Sequence, residues 1–516
     1  MPGTLIDRAL AADLTRDLTA TAPTPVAVIA PYTGETLHEL PQSTAADVAA
    51  AAAAAREAQV AWAAAGFAHR RKVLLRAHDL LLERTERLLD AVQSESGKTR
   101  GQAFEEVFQA AGSTRYAALS ARRVLSSHAR RGGIPVVMRT RVTYAPKGLV
   151  GVITPWNYPL SLAVMDIAPA LAAGNGVVQK ADDQGALSIL MARRAFVDAG
   201  VPAALWGVVA GPGSEVGNAV VDAADYVCFT GSTKTGLVVA ERAARRLVGV
   251  SLELGGKNPM IVLDDVDVEK AAADAAYGCF AAAGQLCVSM ERLYVEKGVA
   301  EAFTTAFAAR TAALRIGTDF DDTTDVGSLA TQAQFDRVRA HIDDAVAKGA
   351  TLLAGGKARP DLGPYVIEPA VLADVTSEMA CDREETFGAV VAVHVVADED
   401  EAVRLANDSE YGLNAAVLSG SSRRGRRVAA RLAAGSVNVN EGYRATFSAV
   451  DAPMGGWKLS GMGRRNGPEG LLRFVEPRTI AHATGILQLP RTGAEFQRLK
   501  GLMGLYLRIA KAIRRR

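Results

Sequence analysis

The sequence predicts an α/β protein of two domains, each built on a mostly parallel sheet. Three observations predict it. The chain has 516 residues, 49% of them hydrophobic and 22% charged. That is more than one core can organise, because single cores stop growing at roughly 250–300 residues. From residue 148, short apolar runs alternate with helical stretches, and a second alternation begins near residue 258. Strands alternating with helices imply βαβ units and a parallel sheet.

The elements follow in order. Residues 43–130 are rich in Ala, Leu, Arg and Glu, with apolar positions recurring at three and four, as at Val73, Leu74, Leu81 and Leu88; they read as helix. Thr44 and Asp47 form a capping box ahead of the alanine run 49–55. Residues 134–145, with Ile134, Val136, Val137, Val142 and Tyr144, read as strand. Further strands are expected at 148–153, 176–179, 207–209 and 226–229, then at 260–263, 292–295, 390–395 and 436–439.

Composition excludes several classes. The chain has 58 basic and 56 acidic side chains, a formal net charge of +2, which gives no reason to expect nucleic acid as a partner. Four cysteines without a CxxC pair argue against a disulfide framework and for a reducing, cytoplasmic setting. The seven histidines are scattered, and no metal site is expected. Charges at Asp7, Arg8, Asp13, Arg16 and Asp17 interrupt any signal-peptide core, and no apolar stretch is long enough to span a bilayer.

Several segments carry chemistry. Gly284-Gln285-Leu286-Cys287 offers a nucleophile, and Leu252-Glu253-Leu254-Gly255-Gly256-Lys257 offers a carboxylate beside two glycines that permit tight backbone packing. With Thr154-Pro155-Trp156-Asn157-Tyr158-Pro159 and Glu385-Thr386-Phe387-Gly388, the chain resembles the aldehyde dehydrogenase family from about residue 25 to about residue 480. The resemblance implies that Cys287, as a thiolate, attacks an aldehyde to give a thiohemiacetal and then a thioester. It implies that Glu253 is the general base and that the Asn157 amide and the Cys287 N–H face the oxyanion. Taken alone, Cys287 reads as a buried structural thiol and Asn157 as a turn residue.

Phe229-Thr230-Gly231-Ser232-Thr233 reads as strand, turn and helix start. Helix N-termini bind pyrophosphate, so Gly231 and Ser232 are candidate phosphate contacts. The resemblance adds Thr154, Pro155, Trp156, Leu254, Glu385 and Phe387 around the nicotinamide end, and Lys180 at the adenosine ribose. Ala389 stands where the family has proline, which loosens that loop. Asp183 can accept ribose hydroxyls and repel a 2′-phosphate, which points to NAD. Similarity to the succinate-semialdehyde dehydrogenase branch points to NADP, so both cofactors stay open.

That branch places arginines where this chain has Met165 and Ala281, which leaves Arg444 as a candidate for a substrate carboxylate. Succinate semialdehyde and a larger apolar aldehyde both remain open, as do a CoA-acylating relative and a catalytically silent scaffold. The resemblance implies an aldehyde dehydrogenase-like fold. Residues 1–130 and 148–255, rejoined by 441–477, would form a Rossmann-type cofactor domain, and residues 256–440 the catalytic domain. Residues 131–147 and 478–490 would form a β arm for a homodimer or homotetramer. Residues 491–516 form a basic amphipathic tail that could lie on a membrane, dock on protein or fray.

Overall fold

Short apolar runs such as Leu149–Ile153 and Asn258–Val262 become the central strands of two sheets. In the computed structural model, residues 3–132, 137–486 and 488–513 are described. One unit comprises residues 1–124 and 146–476, and a second comprises residues 125–145 and 477–516.

The first unit holds both large sheets. In one, strand Leu149–Ile153 is central. On one side the chain adds Gly176–Ala181 and then Trp206–Ala210, all parallel. It then returns to the other side with Tyr226–Thr230 and Gly249–Glu253, also parallel. The direction of growth therefore reverses between the strands ending at Ile153 and Thr230, the position where open α/β sheets bind ligands. Gly461–Met462 closes the edge, antiparallel to the end of Gly249–Glu253. At Gly461, φ is +134° and a Cβ would lie 1.9 Å from the Leu252 carbonyl oxygen, so only glycine fits.

The other sheet runs in the order Thr351–Ala354, Ala370–Ala373, Val390–Val396, Met290–Glu296, Asn258–Val262, Asn414–Leu418, Ser436–Val439. Only the first pair is antiparallel. Every residue of Met290–Glu296 is buried, as expected for a strand covered on both faces.

The helices obey local rules. Ala45–Ala64 starts at Thr44, whose side chain accepts the Asp47 N–H while Asp47 accepts the Thr44 N–H at 2.8 Å. Its Ala51, Ala52 and Ala55 pack on Leu149, Val178 and Val209 of the first sheet. Pro159–Ala173 begins with proline, ends at left-handed Gly174 and is buried throughout. Its Asp166 carboxylate accepts from the Arg465 guanidinium at 2.8 and 2.6 Å and from Arg473 at 2.6 Å. Both arginines pull the Asp166 carboxyl below the usual range against the opposing effect of burial.

Two expectations need correction. The helical stretch ends at Leu125, and His128–Arg130 is a strand paired antiparallel with Thr140–Val142; that pairing overrides local helix preference. The expected strand over 134–145 begins at Met138, while Ile134 and Val136 lie outside the described residues. Unremarked in the sequence were the strands Gly249–Glu253, Thr351–Ala354, Ala370–Ala373 and Asn414–Leu418.

In the second unit, His128–Arg130, Met138–Pro146 and Val475–Ala483 form a three-stranded sheet. Helix Gly493–Ala512 comes after it, started by a capping box of Thr492 and Glu495. Among the described residues, no helix is long and apolar enough to cross a membrane.

Candidate active site

The loops at the reversal point form one wall of a cleft of about 210 Å³. Pro155, Trp156 and Asn157 come after Leu149–Ile153, and Gly231 and Ser232 after Tyr226–Thr230. Glu253 and Leu254 come from the end of Gly249–Glu253, and Cys287, Glu385 and Phe387 come from the other sheet's side. Ten of the residues singled out in the sequence thus share one cavity. Thr154, Lys180, Asp183 and Arg444 are not on its wall.

The turn before Cys287 is not the helix that its alanines suggest. Helix Val268–Phe280 stops, and Ala282, Ala283 and Gly284 take φ of +50°, +53° and +74°. Non-glycine residues held left-handed cost on the order of 1–3 kcal/mol each, and such strain gathers at functional sites. Side-chain amides hold the segment from Gln285 to Ser289 in place. Asn157 Nδ2 donates to the Gln285 carbonyl at 2.9 Å. Asn258 Nδ2 donates to the carbonyls of Cys287 and Ser289 at 2.8 and 2.7 Å.

Burial first, and then the Glu253 and Glu385 carboxylates, push the Cys287 thiol up to about 12. Glu253 is 3% exposed, and its Oε1 has no hydrogen-bond partner among the described residues. Burial raises its pKa to about 7, against the opposing pull of Arg465. The thiol thus shares a cleft with a carboxyl group raised towards neutral pH, where it can serve as a proton acceptor.

Opposite lies the 385–388 loop. Phe387 is left-handed at φ +54°, and its ring meets Trp156 edge-on with centroids 5.6 Å apart. Glu385 Oε1 accepts the Gly256 N–H at 2.9 Å, and burial raises the carboxyl to about 7. At Gly255 a Cβ would come within 2.5 Å of Glu385 Oε2, so glycine there leaves room for the Glu385 carboxylate beside the loop after Glu253.

Sequence reading missed the frame around this loop. Buried Glu291 accepts the Thr386 and Phe387 N–H groups, each at 3.0 Å, and pairs with Lys257 Nζ at 2.5 Å. Gln334 Nε2 donates to the Thr386 and Phe387 carbonyls at 3.1 and 2.5 Å, and Arg337 donates to the Glu385 carbonyl. These bonds supply the restraint that Ala389 does not. Lys257 closes the motif that begins at Leu252 and could have been found; Gln334 and Arg337, on helix Gln332–Ala347, carried no motif signal.

The remaining candidates lie elsewhere. The Thr154 hydroxyl accepts from Gln179 Nε2 at 3.0 Å. Lys180 is the last residue but one of its strand, near Asp182, whose carboxyl is raised by burial and pulled back by Lys180. Gln42 Nε2 donates to Asp183 at 3.5 Å. Arg444 is exposed, pairs with Glu441 at 2.8 Å and sits 4.0 Å from the centroid of the Tyr277 ring. Met165 and Ala281 are buried in an apolar cluster with Tyr158, Leu286, Tyr443 and Phe447, against which Cys287 packs.

The arrangement suits a dinucleotide. Ser232 caps helix Thr233–Ala244 through the Thr235 N–H at 3.3 Å, and the first-turn N–H groups have no partner within the helix. Such an end attracts phosphate. The orphaned Glu253 oxygen, the thiol and the Trp156–Phe387 corner then define where a nicotinamide and a carbonyl would meet.

A model of the aldehyde dehydrogenase family matches residues 18–480. The chain belongs to that family, and its chemistry is the oxidation of aldehydes with a nicotinamide dinucleotide. Over 452 residues it is 50% identical to a Mycobacterium ulcerans (strain Agy99) protein provisionally named NADP(+) succinate-semialdehyde dehydrogenase 2, covering 88% of this chain and 87% of the relative. A betaine aldehyde dehydrogenase of Cereibacter sphaeroides is 38% identical over 469 residues, 90% of this chain and 95% of the relative. Betaine aldehyde dehydrogenase from Staphylococcus aureus, solved with NAD+, superposes with a TM-score of 0.87 at 32% identity, covering 93% of this chain and 98% of that one.

Proposed function

We propose that this protein oxidises an aldehyde to its free carboxylic acid through a thioester on Cys287. In this reading Glu253 is the general base and Asn157 an oxyanion donor. The meeting of a partnerless buried carboxylate oxygen with a cysteine thiol on one cleft carries it.

Glu253 takes the thiol proton, and the sulfur bonds to the aldehyde carbon. The carbonyl oxygen becomes an oxyanion facing the Asn157 amide and the Cys287 N–H. Collapse of the oxyanion expels hydride and leaves a thioester. Bound dinucleotide supplies the hydride acceptor. Glu253 releases the thiol proton to solvent and then deprotonates water, which adds to the thioester; the C–S bond breaks, the leaving thiolate takes that second proton back from Glu253, and the acid departs. Gly231 and Ser232 would hold the pyrophosphate, Glu385 the nicotinamide ribose, and Trp156, Phe387 and Leu254 the ring. Thr154 and Pro155 would shape the wall, and Lys180 and Asp183 would bind the adenosine ribose. The residues 1–130, 148–255 and 441–477 would form the cofactor domain, and 256–440 the catalytic domain.

The apolar cluster against Cys287 favours a large apolar aldehyde. A second reading, succinate semialdehyde with its carboxylate on Arg444, draws on the mycobacterial relative's name. The acids beside Lys180 favour NAD, whereas that name favours NADP. Initial rates for apolar aldehydes and for succinate semialdehyde, each with NAD+ and with NADP+, decide these points. Free acid formed without CoA supports the proposal; a requirement for CoA, or no reduced dinucleotide from any aldehyde, overturns it. The sparse cysteines support a cytoplasmic setting, and the sheet edges of the second unit support a homodimer or homotetramer.

A further inference from the structure

Helix Gly493–Ala512 carries two faces that the enzymatic reading does not use. At about 100° per residue, Phe496, Leu502, Leu507, Ile509 and Ile513 fall within an arc of roughly 160°. Each is at least 50% exposed. Arg508 lies on the opposite side, Lys500 and Lys511 stand at one margin of the apolar arc and Arg498 at the other, with Leu505 beyond Arg498. Residues 491–516 hold eight basic side chains and one acidic, Glu495. That acid is committed to the capping box, where it accepts the Arg491 and Thr492 N–H groups at 2.6 and 3.2 Å. Arg514, Arg515 and Arg516 contribute to this charge from beyond the described residues.

We infer that this helix binds flat on the surface of an anionic lipid bilayer, its apolar arc among the acyl chains and its basic side chains on the headgroups. Marginal basic residues suit this placement, since their stems bury while their charges reach the interface. The helix is not apolar enough to cross a membrane. Charge selects the occupant: a second copy would bring like charge to both margins of the arc, whereas an anionic surface neutralises them.

Sedimentation of the full-length protein with vesicles tests the inference, comparing phosphatidylcholine alone with phosphatidylcholine plus phosphatidylglycerol. Binding to the anionic vesicles should be at least about tenfold stronger and should fall in high salt. The double variant Leu502→Glu, Ile509→Glu should lose it while turnover of a soluble aldehyde is unchanged. Three results overturn the inference: no binding to either vesicle, equal binding to both, or a double variant that still binds. If the double variant instead changes only the oligomeric mass, the apolar arc covers a second copy and the inference also fails.

Discussion

The Glu291 carboxylate accepts the backbone N–H of Phe387 at 3.0 Å, although the two residues are far apart in sequence. Through that bond and its partner from Thr386, a buried acid on a core strand fixes the loop whose ring faces Trp156. Glu291→Gln should lower kcat/KM by about 10²-fold, because small misplacements at a reacting centre cost that much. It also leaves the buried Lys257 charge unpaired, so stability should fall. Adding Lys257→Met separates the effects. If the double variant regains thermal stability but stays slow, the loop-positioning role stands; if both recover, Glu291 is only a charge partner.

Replacing the nucleophile gives the plainest outcome. Cys287→Ala should cut turnover by about 10⁴-fold or more while dinucleotide still binds, as read by quenching of tryptophan fluorescence. Retained turnover would falsify the covalent route.

Glu253 sets the pH behaviour. A base whose pKa is raised to about 7 is protonated and idle below that value and active above it. The rate should therefore rise with pH through about 7. Glu253→Gln should abolish that limb, slow turnover by about 10²–10⁴-fold and accumulate acyl-enzyme visible by mass spectrometry. An unchanged profile would remove Glu253 from the mechanism.

Asp166 makes a stability prediction. Asp166→Asn leaves two buried arginines short of their anion and should cost about 3–5 kcal/mol. Because the folded-state pKa is lowered, this contribution is fully present above the unfolded value of 3.8 and is lost as pH falls through the folded one. Urea unfolding at neutral pH should show a lower midpoint; an unaltered midpoint contradicts the argument.

Cofactor choice is testable at one carboxylate. Asp183→Ser should shift the ratio of kcat/KM for NADP+ over NAD+ upward by about tenfold, the effect of roughly 1.4 kcal/mol of relieved repulsion. A ratio that does not move places discrimination elsewhere, with Asp182 the next residue to change.

Much of this site was legible in the sequence because its chemistry sits in short contiguous motifs. Asn157, Glu253, Cys287 and Glu385 each lie within such a run, and the sheet order brings the runs together. The strands Met290–Glu296 and Val390–Val396 were legible because most of each is a short apolar run, Leu293–Val295 in one and Val390–Val393 in the other. The hidden features depend on long-range geometry. The left-handed turn at Ala282–Gly284 reads locally as helix, since alanine is the best helix former and only packing overrules it. Gln334 and Arg337 are ordinary polar residues on a helix surface until the fold sets them against the loop at 385. The upward push on the Cys287 thiol was equally hidden, because it results from burial beside two acids that are remote in sequence.

The stitching of Gly461–Met462 onto Gly249–Glu253, with Arg465 reaching Asp166, bears on how the enzyme is made. The strand carrying the base leaves the ribosome long before the segment that completes its sheet edge. Until residues near 473 emerge, that edge stays open and Asp166 lacks its counter-charges. The nascent chain therefore passes through a stage with most of its secondary structure but no finished catalytic cleft, when an exposed strand edge is most open to wrong pairing.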